Sequence, residues 1–310
     1  MTEAEELRSH LAERYGFRAH TLYTLDQDVV LMRRDDGPSW VARIFPEERP
    51  LAAVQGDAEI LAWLEHEGYP AERCADPEPV SVLDGRAVLV TAAVPAVPRS
   101  GRRSAVKDAG GIRRLGEMLG ELAQLAPPPG APCRQGGAWH HATDGHPAAE
   151  IARAREWLAE AQAEAPAREL GRFDALYEEL ESLDNGEGLP EAFIHPDFVL
   201  ANVVATAEPG MVLVDWAGAG VGPRAWALAF LLWAEAAKDP RRAALALAGY
   251  RRQVNLELEE LDRLAGMLRA RPLIFSLWRL RYRDITAAAA VEDAMESRRL
   301  ADVLAARLRG

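Results

Sequence analysis

Strand-type and helix-type patterns occupy separate parts of this sequence. Apolar and polar residues alternate along 18–45 and again along 79–94, which predicts two antiparallel hairpins, each with one solvated face. Between them, residues 51–68 have the apolar spacing of a helix that ends at Gly68. The first third of the chain is therefore predicted to form a small sheet with one helix.

Helical spacing dominates after the proline-containing segment 95–101, and strand-type residues return only near 193–215. Strands that come first and helices that follow favour an α+β fold over an alternating α/β fold. We therefore expect a small N-terminal part, residues 1–94, with an antiparallel sheet and one helix. The remainder, residues 95–310, should form a larger helical part.

Length and composition are those of a globular protein, with 310 residues and 49% hydrophobic residues. The acidic, amphipathic start differs from a signal peptide, and the longest apolar run, 226–237, is too short to cross a bilayer. Cys74 and Cys133 lack the spacing of a disulfide framework or a metal site and favour a reducing compartment. These features predict a cytoplasmic protein.

The charge of the chain limits its partners. Its formal net charge of −12 repels nucleic acid and anionic membranes, so we expect neither as a partner. The same charge mildly favours cationic ligands. The sequence leaves the oligomeric state open.

The stretch FIHPDFVLANVVATAEPGMVLVDWAGAG has apolar, strand-like flanks that polar residues interrupt. Among these residues are His195, Asp197, Asn202 and Asp215. Polar groups in apolar surroundings are costly unless something pairs with them. Their presence between strand-like segments therefore indicates a site.

The spacing of these residues predicts that three of them converge. A Glu-Pro-Gly turn separates 203–206 from 211–214, so these segments can pair as a hairpin that returns Asp215 to Asn202. An amide and a carboxylate oxygen suit Mg²⁺, which binds through few protein ligands together with substrate phosphates. Asp197 is then placed to orient a hydroxyl or to accept its proton.

The pattern HPDFVLAN…VLVDW resembles the catalytic and metal-binding loops of the aminoglycoside phosphotransferase and choline kinase group. That group is the small-molecule branch of the two-lobed protein-kinase-like fold. The resemblance implies that Asp197 is the catalytic aspartate, that Asn202 and Asp215 carry Mg²⁺, and that His195 braces the catalytic loop. It also implies ATP or GTP as the phosphoryl donor and residues 1–94 and 95–310 as the two lobes.

The same resemblance assigns nucleotide-binding residues in the N-terminal lobe. Arg43 stands where the group has a cation that holds the ATP phosphates, and Glu59 where a helix carboxylate would hold that cation. The alternatives are a surface charge for Arg43 and an exposed helix position for Glu59. Ala92 and Val94 lie where backbone groups would meet the adenine edge, and ordinary strand-to-linker geometry explains them equally well.

Several positions depart from the group's pattern. The turn that should cover the phosphates contains Asp26 and Asp28 and no glycine, and two carboxylates repel a triphosphate. Ala227 stands where relatives commonly have an aspartate that braces the catalytic loop. Pro196 replaces the usual glycine and removes a backbone donor.

The resemblance predicts transfer of a γ-phosphoryl group to a hydroxyl of an aminoglycoside-like or amino-alcohol substrate. The departures leave open a catalytically silent kinase-like protein that binds a small molecule in the same cleft. A third reading is a metal-dependent hydrolase built on His195, Asp197 and Asp215.

Two other clusters have weaker interpretations. His140, His141 and His146 share one loop and would bind metal or contact substrate. Trp278 and Tyr282, at helical spacing, would line a pocket for a cation or belong to the core.

Overall fold

The computed structural model of the chain describes a strand-rich N-terminal part and a helical remainder. It describes residues 3–26, 28–34, 37–96, 107–127, 146–195, 197–207, 210–282 and 285–309. The helices are α1 (Glu3–Tyr15), α2 (Leu51–His66), α3 (Ala109–Gln124), α4 (Pro147–Ala163), α5 (Leu170–Glu181), α6 (Arg224–Ala236), α7 (Pro240–Tyr250), α8 (Leu258–Arg281) and α9 (Ala287–Arg309). The strands are β1 (Thr21–Asp26), β2 (Val29–Arg33), β3 (Trp40–Ile44), β4 (Val80–Leu83), β5 (Arg86–Ala92), β6 (Glu191–Ile194), β7 (Val203–Ala205), β8 (Met211–Leu213) and β9 (Gly220–Pro223).

The first five strands form one antiparallel sheet in the order β1-β2-β3-β5-β4. The predicted hairpin of 79–94 is therefore confirmed, and residues 18–45, predicted as one hairpin, form three antiparallel strands. Alternate residues of β3 point to opposite faces, so Trp40 and Ala42 are buried with α1 whereas Arg43 faces the other way. The register Val29↔Arg43↔Leu89 fixes Arg43 in the middle of the sheet.

The turn between β4 and β5 follows directly from its residue types. Asp84 and Gly85 have φ angles of 48° and 81°. A two-residue hairpin turn with positive φ at both central positions matches the right-handed twist of the strands, and Asp-Gly tolerates it. This turn fixes the pairing register of β4 with β5, the strand that ends at Ala92.

The helical part is held by close helix packing around the larger core. Gly116 of α3 and Gly249 of α7 let the two helices approach closely, since a Cβ at Gly116 would lie 1.8 Å from the carbonyl oxygen of Ala246. The larger core includes residues of α2 as well as residues of the later helices. The lobe boundary at residue 94 stays a prediction.

Two short strand pairs hold the polar stretch. The predicted hairpin forms as β7 and β8, with Val203 opposite Leu213. Strand β6, which precedes His195, pairs with β9, so that Ile194 lies opposite Gly220. The sequence did not indicate β9.

These features confirm the α+β class, with a small antiparallel sheet before a mostly helical remainder. Among the helices of the described ranges, none is both long enough and apolar enough to cross a membrane.

Candidate active site

The β7–β8 hairpin brings Asn202 and Asp215 to the same end. Val214 donates its N–H to the carbonyl oxygen of Asn202 at 2.9 Å, which continues the strand pairing to the residue before Asp215. Asp215 then leaves the strand with a φ of 71°, in the left-handed region that non-glycine residues rarely adopt. Such strain marks candidate functional positions and needs support from neighbouring groups.

Asn202 is tied to Asp197 by two hydrogen bonds. Its side-chain nitrogen donates to the carbonyl oxygen of Asp197 at 2.9 Å and to Oδ2 of the same residue at 2.8 Å. Because the first acceptor is a carbonyl, the amide NH₂ must be the group that faces Asp197. The amide oxygen of Asn202 therefore points away from Asp197, and it is the atom suited to bind a cation.

His195 connects the segment that contains Asp197 to the end of β8, next to Asp215. Its side chain is 0% exposed, and Nδ1 accepts the N–H of Asp197 at 3.0 Å. The proton must then be on Nε2, which donates to the carbonyl oxygen of Val214 at 3.2 Å. Burial lowers the pKa of His195, against the opposing effect of Asp215 and Asp197, so the ring is neutral. His195 packs edge-on against Trp216, with ring centroids 4.7 Å apart.

Arg43 of β3 lies against Asp215 from the sheet side. Its Nη1 is 3.0 Å from Oδ1 of Asp215, and both side chains are mostly buried. That Oδ1 is buried and makes no hydrogen bond to any described residue. A buried carboxylate oxygen without a hydrogen bond, at the hairpin end that also carries Asn202, fits a hard divalent cation that takes its remaining ligands from phosphate and water.

The expected pair between Arg43 and Glu59 is not formed. Glu59 is exposed on α2, whereas Arg43 pairs with Asp215. The helix turns Asp57 inward instead, and that carboxylate is held by Arg49 at 2.7 Å. The prediction was wrong because Glu59 lies on the exposed face of α2, and Asp215, from a distant hairpin, pairs with Arg43 instead.

Ala92 and Val94 were predicted to meet the adenine edge through their backbone groups, and the structure is compatible with only part of this prediction. The N–H of Ala92 donates to the carbonyl oxygen of Arg73 at 2.8 Å, so it is not available to a ligand. Ala92 and Val94 line a cleft of about 490 Å³ with Tyr69 and Leu125. Recognition of adenine at Val94 stays a prediction.

Glu72, in the loop between α2 and β4, is a site residue that the sequence did not predict. Its Oε1 accepts the N–H of Asp215 at 2.7 Å, and its Oε2 accepts the hydroxyl proton of Thr91 at 2.9 Å. Burial raises the pKa of Glu72, while the Asp215 N–H and Arg43 oppose that rise. No local pattern reveals this residue, because its contacts lie far away along the chain.

The structure shows the surroundings of two positions that depart from the family pattern, Asp28 and Ala227. Asp28 lies 3.4 Å from Nη1 of Arg86, which offsets one of the two charges in the first hairpin turn. Ala227 is buried in α6. Pro196 lies outside the described residues.

The described residues include only part of the histidine cluster and all of the Trp278–Tyr282 pair. His146 caps α4 by accepting the N–H of Ala148 at 3.3 Å, and His140 and His141 lie outside the described residues. Tyr282 is 60% exposed, so it is not a core residue, and its ring centroid is 5.2 Å from that of Trp278. Within the described ranges, no three His, Cys, Asp or Glu side chains converge as metal ligands.

Comparison with known proteins identifies the family. The model of the phosphotransferase enzyme family matches residues 24–273, which is most of the chain. The chain belongs to the phosphotransferase enzyme family. As a member, it is a small-molecule phosphotransferase by descent, and the connected Asp197, Asn202 and Asp215 lie within the matched residues. No curated protein sequence matches it significantly.

Solved structures of phosphotransferases share the fold of this family member. The amicoumacin kinase hAmiN, in complex with AMP-PNP, Ca²⁺ and amicoumacin, has a TM-score of 0.67 at 14% identity, covering 99% of this chain and 94% of that one. An aminoglycoside phosphotransferase from Alicyclobacillus acidocaldarius has a TM-score of 0.64 at 17% identity, with 97% and 95% covered. The choline kinase LicA from Streptococcus pneumoniae has 0.62 at 15%, with 95% and 98% covered.

Proposed function

We propose that this phosphotransferase moves the γ-phosphoryl group of ATP, or of GTP, to a hydroxyl of an aminoglycoside-like or amino-alcohol acceptor. The supporting observation is one connected set of side chains, in which Asn202 holds Asp197 and Asp215 faces Arg43. Phosphoryl transfer needs little covalent chemistry from the protein and depends on positioning and charge neutralisation. This arrangement supplies both.

Asp197 is proposed as the catalytic carboxylate. It orients the acceptor hydroxyl and takes its proton while the acceptor oxygen bonds to the γ-phosphorus. The bond from that phosphorus to the bridging oxygen breaks, and ADP leaves. Two hydrogen bonds from Asn202 and one to His195 fix Asp197 in advance, so little reorganisation is needed in the transition state.

Asn202 and Asp215 are proposed to hold Mg²⁺, which neutralises phosphate charge when it is bound. The amide oxygen of Asn202 and the buried Oδ1 of Asp215 are the fitting donors. Arg43 adds a fixed cation whose guanidinium matches phosphate oxygens. The nucleotide donor in turn supports a cytoplasmic location for the protein.

The acceptor is proposed to be a small, hydroxylated amine. The formal net charge of −12 favours cationic ligands. Proteins of the same fold carry names that refer to amicoumacin, aminoglycosides and choline, and these include amine-bearing molecules. Nucleic acid and membranes are not proposed as partners.

The test is an acceptor screen with labelled ATP and Mg²⁺. Amino-alcohols and aminoglycosides are incubated with the protein, and mass spectrometry detects the gain of one phosphoryl group. We expect transfer to at least one amine-bearing acceptor by the natural protein and about 100-fold less, or lower still, by Asp197→Ala. Equal transfer by both proteins would remove Asp197 from the reaction.

A catalytically silent binding protein is the second candidate. Ala227 favours it, because an alanine at that position of α6 offers no carboxylate to brace the catalytic loop. A thermal shift with MgATP distinguishes the two candidates, since a ligand that binds the folded state raises its stability by mass action. Stabilisation by an acceptor alone, with none by MgATP, would favour the binding protein.

A further inference from the structure

The loop that carries Glu72 is bound on both sides by strands. On one side, Leu213 donates its N–H to the carbonyl oxygen of Pro70 at 2.9 Å, and Glu72 donates its own to Leu213 at 3.0 Å. On the other side, Ala92 donates to Arg73 at 2.8 Å. The backbone of Glu72 is therefore fixed between β8, which leads to Asp215, and β5 of the sheet.

The side chain of Glu72 has both oxygens engaged. Oε1 accepts the N–H of Asp215 at 2.7 Å, and Oε2 accepts the hydroxyl proton of Thr91 at 2.9 Å. A carboxylate accepting a backbone N–H forms a strong, charge-assisted hydrogen bond. The contact falls on the residue with a φ of 71°, the position where the backbone most needs an external partner.

Glu72 also faces Arg43 across a small cavity. The cavity of about 30 Å³ is lined by Arg43, Asp57, Glu72, Thr91 and Trp216, among others. Asp57 lines the same cavity and is paired with Arg49 at 2.7 Å. Asp215 and Glu72 lie next to the Arg43 guanidinium, where the sequence predicted Glu59.

We propose that Glu72 is the positioning residue for the metal-binding carboxylate of Asp215. It holds the Asp215 backbone in its left-handed conformation, so that the carboxylate faces Arg43, at the hairpin end that carries Asn202, before any ligand arrives. Thr91 fixes the rotamer of Glu72 from the sheet. The inference rests on the proposed function, because it assigns Asp215 to the cation.

The test measures how much Mg²⁺ the protein needs to bind nucleotide. Thermal stability is recorded at a fixed ADP concentration while Mg²⁺ is titrated, which reads metal binding without turnover. Residues that orient a metal ligand typically contribute 10–100-fold to metal affinity. For Glu72→Ala we expect the half-saturating Mg²⁺ concentration to rise by about that factor.

Two conservative variants separate positioning from structural support. Glu72→Gln keeps an oxygen for the Asp215 N–H and an amide for the Thr91 hydroxyl, so it should restore the Mg²⁺ requirement to within about threefold of the natural protein. Thr91→Val frees one Glu72 oxygen and should shift the requirement less than Glu72→Ala does. Because both substitutions keep the size of the side chain, these two variants still test the proposal if Glu72→Ala fails to fold.

Glu260→Gln is the matched control. Glu260 is a buried acid of α8 that is paired with Arg224 at 2.7 Å, far from the site along the chain. This variant should lower the melting temperature and leave the Mg²⁺ requirement unchanged. If Glu72→Ala behaves in the same way, Glu72 only supports the fold and the proposal is wrong. A Glu72→Gln variant as impaired as Glu72→Ala would also overturn it.

The same measurements distinguish a failure of the proposed function from a failure of the inference about Glu72. If the natural protein gains no stability from ADP with Mg²⁺ and transfers no phosphate, the nucleotide assignment is wrong and Glu72 has no metal ligand to position. If the natural protein responds, Asp215→Ala loses the response and Glu72→Ala retains it in full, then only the inference about Glu72 is wrong.

Discussion

Arg43 and Asp215 form an ion pair, with 3.0 Å between Nη1 and Oδ1, that links the N-terminal sheet to the end of the β7–β8 hairpin. The two residues lie far apart in sequence, so the contact depends on how the sheet docks onto the helical part. It places a fixed positive charge beside the carboxylate proposed to hold Mg²⁺. A phosphate group that enters here meets a guanidinium already in position.

Arg43→Ala should raise the KM for ATP by about 10-fold or more, since charge-assisted hydrogen bonds contribute about 1.5–3 kcal/mol. The KM for the acceptor should change much less. Steady-state kinetics with each substrate varied in turn makes the comparison. Arg33→Ala, which alters another arginine of the same sheet, is the control and should leave both values unchanged. A larger effect on the acceptor would assign Arg43 to the acceptor pocket.

Asp197→Ala should lower kcat by about 10²–10⁴-fold, the usual contribution of a positioned acid or base. Nucleotide binding should survive, because Asn202 still donates to the carbonyl oxygen of residue 197. Calorimetric titration with the Mg²⁺ complex of AMP-PNP checks binding, and phosphate-transfer assays check kcat. Loss of binding together with activity would show a structural effect instead.

His195→Ala should reduce the free energy of unfolding by about 2–4 kcal/mol, because it removes two buried hydrogen bonds and leaves a cavity. The N–H of Asp197 and the carbonyl oxygen of Val214 would both lose their partner. Urea denaturation at neutral pH measures the change. An unfolding free energy within about 0.5 kcal/mol of the natural protein would contradict the bracing role.

Gly116→Ala should destabilise the protein by about 1–3 kcal/mol, because the new Cβ would collide with the backbone of α7 and force the helices apart. Gly171→Ala is a matched control in α5, where a Cβ would meet nothing within 4 Å. There, alanine should stabilise by up to about 1 kcal/mol. Equal effects of the two substitutions in thermal unfolding would refute the close contact of α3 and α7.

Cys74 should react slowly with thiol reagents in the native protein. Burial raises the pKa of its thiol to about 11, with Glu72 and Glu65 adding to the rise. Since only the thiolate reacts, the rate at pH 8 should be roughly 100-fold below that of a free cysteine. It should increase about tenfold per pH unit up to pH 10. Measurements on a Cys133→Ser variant isolate this thiol, and a fast reaction at pH 8 would contradict its burial.

Local sequence patterns predicted much of this fold. The Asp84-Gly85 turn, the alternation along β1 to β5 and the polar residues of the β7–β8 hairpin all follow from short-range chemistry. The Asp197–Asn202 contact was accessible for the same reason, because both residues belong to one loop. These predicted contacts all lie within one hairpin or one loop.

Contacts between distant segments were not accessible. Glu72 meets Asp215 through the docking of a loop onto β8, and neither residue has a local pattern that names the other. Glu59 was chosen by its spacing from Arg43, but the inward face of α2 is decided by packing against the larger core, which buries Asp57 instead. Spacing along the chain therefore did not identify the acid beside Arg43, because tertiary packing decides which side chain faces the site.

Anomalous diffraction of Mn²⁺, in crystals of the protein with a non-hydrolysable ATP analogue, would locate the metal relative to Asn202 and Asp215. We expect a peak within coordination distance of the Asn202 amide oxygen and the Asp215 carboxylate, with the terminal phosphate between Arg43 and Asp197. A Mn²⁺ peak at other residues, or an analogue bound away from Asp197, would contradict it.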